Sequence, residues 1–90
     1  MKRKNWTKKE LEASVIAYIE MRENESKKEK YIKKKFYREL SERFDRSASS
    51  FEYRMQNISH IYNEWGEDYI KGLKPYSHIG ENIKSTLIEL

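Results

Sequence analysis

Leu11, Val15, Ile16, Tyr18 and Ile19 recur at three- and four-residue intervals, and this spacing predicts a first helix from about Lys8 to Arg22. Thr7 followed by Glu10 has the form of a capping box, and Trp6 just before it is placed to staple onto the first turn. Ile32, Phe36, Leu40 and Phe44, flanked by Tyr31 and Tyr37, predict a second helix over 27–44, opened by a second box at Ser26 and Glu29. Asp45-Arg46 leaves only a very short connection. Phe51, Met55, Ile58, Tyr62 and Trp65 then fall in one arc, the buried stripe of a third helix over 47–64. Ser47 or Ser49 caps it, Ser49 with Glu52 three residues on, and Gly66 ends it.

Residues 67–77 are the least regular. Gly72 and Pro75 break the pattern, while Tyr69, Ile70, Leu73 and Tyr76 are apolar enough to fold back on the bundle. A short turn and a two-stranded wing both fit. From Gly80 onward Ile83, Leu87 and Leu90 predict a final helix. The expected fold is mainly α: a three-helix helix-turn-helix bundle with a short irregular or wing-like segment and a C-terminal helix, one domain over 1–90.

Composition supports that expectation. The three glycines and the one proline all follow position 65, so little interrupts helix in the first two-thirds of the chain. Twelve aromatic residues can build a core from few positions. With no cysteine, neither a disulfide framework nor a thiolate metal site is available, and with only His60 and His78, eighteen positions apart, no structural zinc site is expected. No cofactor is expected. No apolar run reaches the length of a membrane span, so the chain reads as soluble and cytoplasmic, with no membrane partner.

Charge is uneven. Residues 1–46 hold fifteen Lys or Arg against nine Asp or Glu, whereas residues 47–90 hold four against six. Met1 to Asn5 reads as a short, mobile basic tail. The second helix carries Lys27, Lys28, Lys30, Lys33, Lys34 and Arg38 on an outer basic face suited to phosphates, with Lys35 near it. The third helix opposes its apolar stripe with Ser49, Ser50, Tyr53, Gln56, Asn57 and His60, hydrogen-bonding groups with little charge. A solvated helix face usually carries Glu and Lys, whereas these residue types can contact base edges.

The chain is therefore expected to bind double-stranded DNA, with the helix at 47–64 in the major groove. Asn57 is placed for adenine, and Arg54 or Arg46 for guanine or a phosphate. Ser49 and Ser50, with the free N–H groups of the first turn, can hold a phosphate through the helix dipole. Tyr53 can stack on a base, and Lys33, Lys34, Lys35 and Arg38 supply attraction that ignores base sequence. No catalysis is expected, since there is no glycine-rich phosphate loop, activated nucleophile or metal cluster. The alternative is a protein-interaction module, a phage or bacterial inhibitor or adaptor that reuses the same fold.

Trp6-Thr7 with Glu10, Ala17-Tyr18, Met21, Tyr31, Arg38-Glu39-Leu40, the Arg46–Ser59 block and Ile70-Lys71-Gly72-Leu73-Lys74-Pro75 with Gly80 together resemble the N-terminal domain of certain bacterial HNH restriction-type endonucleases. The likeness covers nearly the whole chain and is most specific in Arg46–Ser59. A looser likeness to Myb and SANT domains rests on Trp6-Thr7, Glu10 and the Arg46-Ser47 start of the third helix. The first resemblance implies a DNA-recognition module that delivers a nuclease to its target, with Arg46, Ser50, Tyr53, Arg54 and Asn57 as contacts. A nuclease or other protein then stands as a second partner. No His-Asn-His metal site is present onto which nuclease activity could be carried.

Overall fold

Helix α1 (Lys8–Ser26) begins at the expected box. The Thr7 N–H donates to Glu10 Oε1 at 2.9 Å and the Glu10 N–H donates to Thr7 Oγ1 at 3.1 Å, so two orphan donors are satisfied. In this computed structural model, which describes residues 5–90, the tail expected at Met1 to Asn5 lies outside the described residues except for Asn5.

α1 runs four residues beyond the expected end at Arg22, and Ser26 is its last residue rather than a cap for the next helix. Lys28 adopts φ 59, the Lys28 N–H donates to Glu25 O and the Glu29 N–H donates to Asn24 O. That pair of bonds is a Schellman closure, usually made by glycine. Here a lysine makes it, so no glycine marks the end. Glu25 is held on both sides, accepting from the Tyr31 hydroxyl at 2.7 Å and from the Lys71 N–H at 2.7 Å.

α2 consequently spans only Lys33–Phe44, with Ile32 as N-cap and no side-chain cap. Asp45 then turns the chain in the left-handed region (φ 54), a conformation a short polar side chain tolerates. α3 (Ala48–Glu64) is capped by Ser47, whose hydroxyl accepts from the Ser50 N–H; Ser49 lies inside the helix. Gly66 (φ 74) closes α3 by a second Schellman pair, with the Glu67 N–H bonded to Tyr62 O and the Gly66 N–H to Asn63 O.

The core is centred on Tyr18, Met21, Phe51 and Met55. Two expectations for it need correction. Trp65 stands 54 % exposed at the end of α3, its ring nearly perpendicular to that of Tyr62. Trp6 also meets Phe51 of α3, ring centroids 5.2 Å apart with the planes nearly perpendicular, and so ties the entry of α1 to a neighbouring helix. Of the four apolar residues in 67–77, Ile70 and Leu73 are buried, while Tyr69 and Tyr76 remain exposed.

Residues 67–80 form no strand among the described residues, so the wing is absent. The segment turns at Gly72 (φ 91) and runs back along α3, with the Tyr76 N–H donating to Gln56 O at 3.1 Å. The Tyr18 hydroxyl meets the same segment, accepting from the Ile70 N–H at 3.0 Å and sharing a hydrogen bond with Ser59 Oγ at 2.8 Å. α4 (Glu81–Glu89) buries Leu87 and packs on α1, leaving Leu90 exposed. The result is a small all-α bundle of four helices. Among the described residues no helix is long and apolar enough to cross a membrane.

Candidate nucleic-acid interface

Arg46, Ser49, Ser50, Tyr53 and Arg54 come together in one cleft of about 1140 Å³. The α2–α3 turn delivers Arg46, the first turn of α3 delivers the serines, and the next turn delivers Tyr53 and Arg54. The opposite wall was not legible in the sequence. It consists of Asn5 and Trp6 at the entry to α1, and of His78 and Gly80–Ile83 at the start of α4.

Arg46 is anchored rather than extended into solvent. Its Nε donates to Glu10 Oε2 at 3.0 Å, and its Nη2 donates to Glu10 Oε1 and to Asn5 O, both at 3.0 Å. Burial alone would push the Glu10 carboxyl up. The Arg46 hydrogen bonds and charge, with the Thr7 N–H, outweigh burial and hold it below the ordinary carboxylate range. The pair links α1 to the α2–α3 turn, which accounts for Glu10 being buried although it belongs to a first helical turn.

Arg54 differs in having no carboxylate. It is 6 % exposed, and its Nη1 donates to Asn57 Oδ1 at 2.7 Å. Among the described residues no acidic side chain pairs with it, and its Nε is buried without a hydrogen-bond partner. Burial, and then the nearby Arg46 charge, lower the pKa of the guanidinium, with Tyr53 acting in the opposite sense. Both guanidinium groups lie over the Trp6 ring, Arg46 Cζ at 4.0 Å and Arg54 Cζ at 4.5 Å from its centroid. Cation–π contact offsets part of the cost of crowding two cations at a partly desolvated site.

Asn57 is not open to a groove. It is fully buried, accepting from Arg54 and donating through Nδ2 to Tyr76 O at 2.8 Å and His78 O at 3.4 Å. Gln56 Nε2 reaches Lys74 O at 3.3 Å, and the Tyr53 hydroxyl donates to His78 O at 2.8 Å. The hydrogen-bonding flank of α3 is thus largely engaged by its own chain at 74–78. The expectation that Asn57 meets adenine is corrected for that reason: residues 74–78 are pinned where a base edge would have to lie. Tyr53 is half-buried, nearly perpendicular to Tyr76 with ring centroids 5.0 Å apart, and Arg54 Cζ lies 5.7 Å from its own ring centroid. Ser49 remains exposed and Ser50 half-exposed.

The basic face of α2 lies apart from the cleft and is split. Lys34, Lys35 and Arg38 are exposed, but Lys33 folds inward, its Nζ 5.2 Å from the Tyr31 ring centroid and beside Gly72. The later start of α2 also leaves Lys27, Lys28 and Lys30, expected on the same face, outside the helix, and makes Lys33 a first-turn residue beside Gly72.

No family model, curated protein or solved structure matches the chain.

Proposed function

We propose that the chain is a small duplex-DNA-binding module, without catalytic activity of its own, that grips the sugar-phosphate backbone beside the exposed first turn of α3. The observation that carries this reading is the convergence of Arg46, Arg54, Ser49 and Ser50 on one open cleft. Arginines, hydroxyl groups and helix N-termini are the groups that hold phosphates and set the register of a protein on a duplex. Exposed Lys34, Lys35 and Arg38 support it by adding positive charge that does not depend on base sequence. The likeness of Arg46–Ser59 to the DNA-recognition domain of HNH restriction-type endonucleases points the same way. Base reading through Asn57 forms no part of the proposal.

The experiment is a fluorescence-anisotropy titration of a labelled duplex at two salt concentrations. Affinity should fall steeply with salt, log K dropping by about 0.9 per phosphate neutralised for each unit of log salt. Absence of binding at low salt would remove the reading.

One observation favours a second reading, an interaction module for a protein partner. Ile16 is 61 % exposed in a shallow groove between α1 and α2 with Phe36 and Leu40, where an apolar side chain could seat. A complex that survives nuclease treatment would support this alternative.

A further inference from the structure

We infer that the first turns of α3 and α4 and the Arg54 guanidinium together form a binding site for a single phosphate group. Two helix N-termini line the same cleft, from Ser49 and Ser50 on one side and Glu81–Ile83 on the other. The N–H groups of Ser49, Glu81, Asn82 and Ile83 make no hydrogen bond within the described protein, and Gly80 offers α4 no side-chain cap. Each helix start carries roughly half a positive charge, so an oxyanion between them is favoured twice.

Arg54 is the independent observation. A guanidinium removed from water is normally matched by a carboxylate, because an uncompensated buried charge is costly. Arg54 is 94 % buried and lacks that match, and its Nη2 takes no partner among the described residues. Asn57 and Trp6 hold the group but bring no negative charge. An anion from outside the chain would complete the set. A tetrahedral phosphate fits better than a carboxylate, since the donors approach from two helices and a side chain rather than from one plane. Glu81 also lines the cleft, but it is exposed in the first turn of α4, where its carboxylate can turn to solvent.

This inference deepens the proposed function by naming the group held, and depends on it only for where the phosphate comes from. The direct test is a titration of the full chain with inorganic phosphate, followed by amide NMR at ionic strength held constant with chloride. Shifts should concentrate at Ser49 and Glu81–Ile83 and at the Arg54 side chain. Shifts that are absent or scattered would overturn the site. Arg54→Gln should abolish binding but risks the fold, so Ser49→Asp is the second variant. It places a carboxylate in a helix first turn, where the fold tolerates it, and phosphate should bind about tenfold more weakly or not at all. Unchanged phosphate affinity in Ser49→Asp would also overturn the site. A short duplex that shifts the same amides identifies a backbone diester as the source. A nucleoside monophosphate that does so while the duplex does not identifies a terminal monoester. Phosphate binding without duplex binding leaves the site standing and removes the proposed function. Duplex binding with no response to phosphate does the reverse.

Discussion

The side-chain amide of Asn57 donates to the backbone carbonyl of Tyr76 at 2.8 Å, and through that bond helix α3 holds the segment that follows it. Asn57 accepts in turn from Arg54. A residue whose chemistry suits adenine instead joins an internal network that fixes both the return segment and a buried cation.

Replacing Asn57 should therefore cost stability before it costs binding. Asn57→Ala leaves the Tyr76 carbonyl and the Arg54 Nη1 without partners in a buried setting. A loss of roughly 2–4 kcal/mol in urea unfolding is expected. Measured where the variant is still folded, its duplex affinity should stay within about threefold of the parent. A stable Asn57→Ala protein with much weaker duplex binding would reinstate the base-reading role.

Glu10 and Arg46 set an acid limit on stability. The folded pKa of Glu10 is depressed below its ordinary 4.5, so its contribution is present above that value and fades as pH falls through the folded pKa. Glu10→Gln should destabilise the protein near neutrality by about 3–5 kcal/mol, because Arg46 loses its counter-charge at a largely buried position. Below pH 4.5 the difference between parent and variant should shrink. Thermal unfolding as a function of pH checks both statements.

Much of the fold was legible because it follows from local signals: the Thr7–Glu10 box, the Phe51–Met55–Ile58 stripe and the glycine closure at Gly66 all stand where the pattern put them. The boundary between α1 and α2 was not, because a lysine at position 28 does what glycine usually does. The site was legible in part. Arg46, Ser49, Ser50, Tyr53 and Arg54 do share a cleft, since a tight turn and the next helical turns must lie close together. Its other wall is contributed by Asn5 and Trp6, far earlier in the chain, and by His78 and Gly80–Ile83, far later, and no local pattern encodes either approach. The periodicity also placed Asn57 opposite the core stripe, but could not reveal that residues 74–78 would cover it.

Tyr18 ties α1 to both α3 and the return segment, so its hydroxyl should add to the stability that its buried ring supplies. Tyr18→Phe keeps the packing but removes the acceptor for the Ile70 N–H and the partner of Ser59. The expected cost is about 1–3 kcal/mol in chemical denaturation, with faster amide exchange at Ile70.

The exposed cations of α2 should contribute to duplex affinity without contributing to the fold. A triple change of Lys34, Lys35 and Arg38 to Ala is expected to move stability by no more than about 0.5 kcal/mol per site. If all three neutralise phosphates, the salt dependence of duplex binding should lose about 2.7 of its slope. An unaltered slope would confine the contact to the α3–α4 cleft.

The most direct test of how α3 engages DNA is residue-resolved amide NMR of the chain during titration with a short duplex. Shifts should cluster at 47–53 and 80–83, with a weaker set at 34–38, while the amide and side-chain signals of Asn57 and the 74–78 segment stay in place. Large changes at Asn57 together with release of 74–78 would mean that the covered flank of α3 opens to read bases, and would contradict the account.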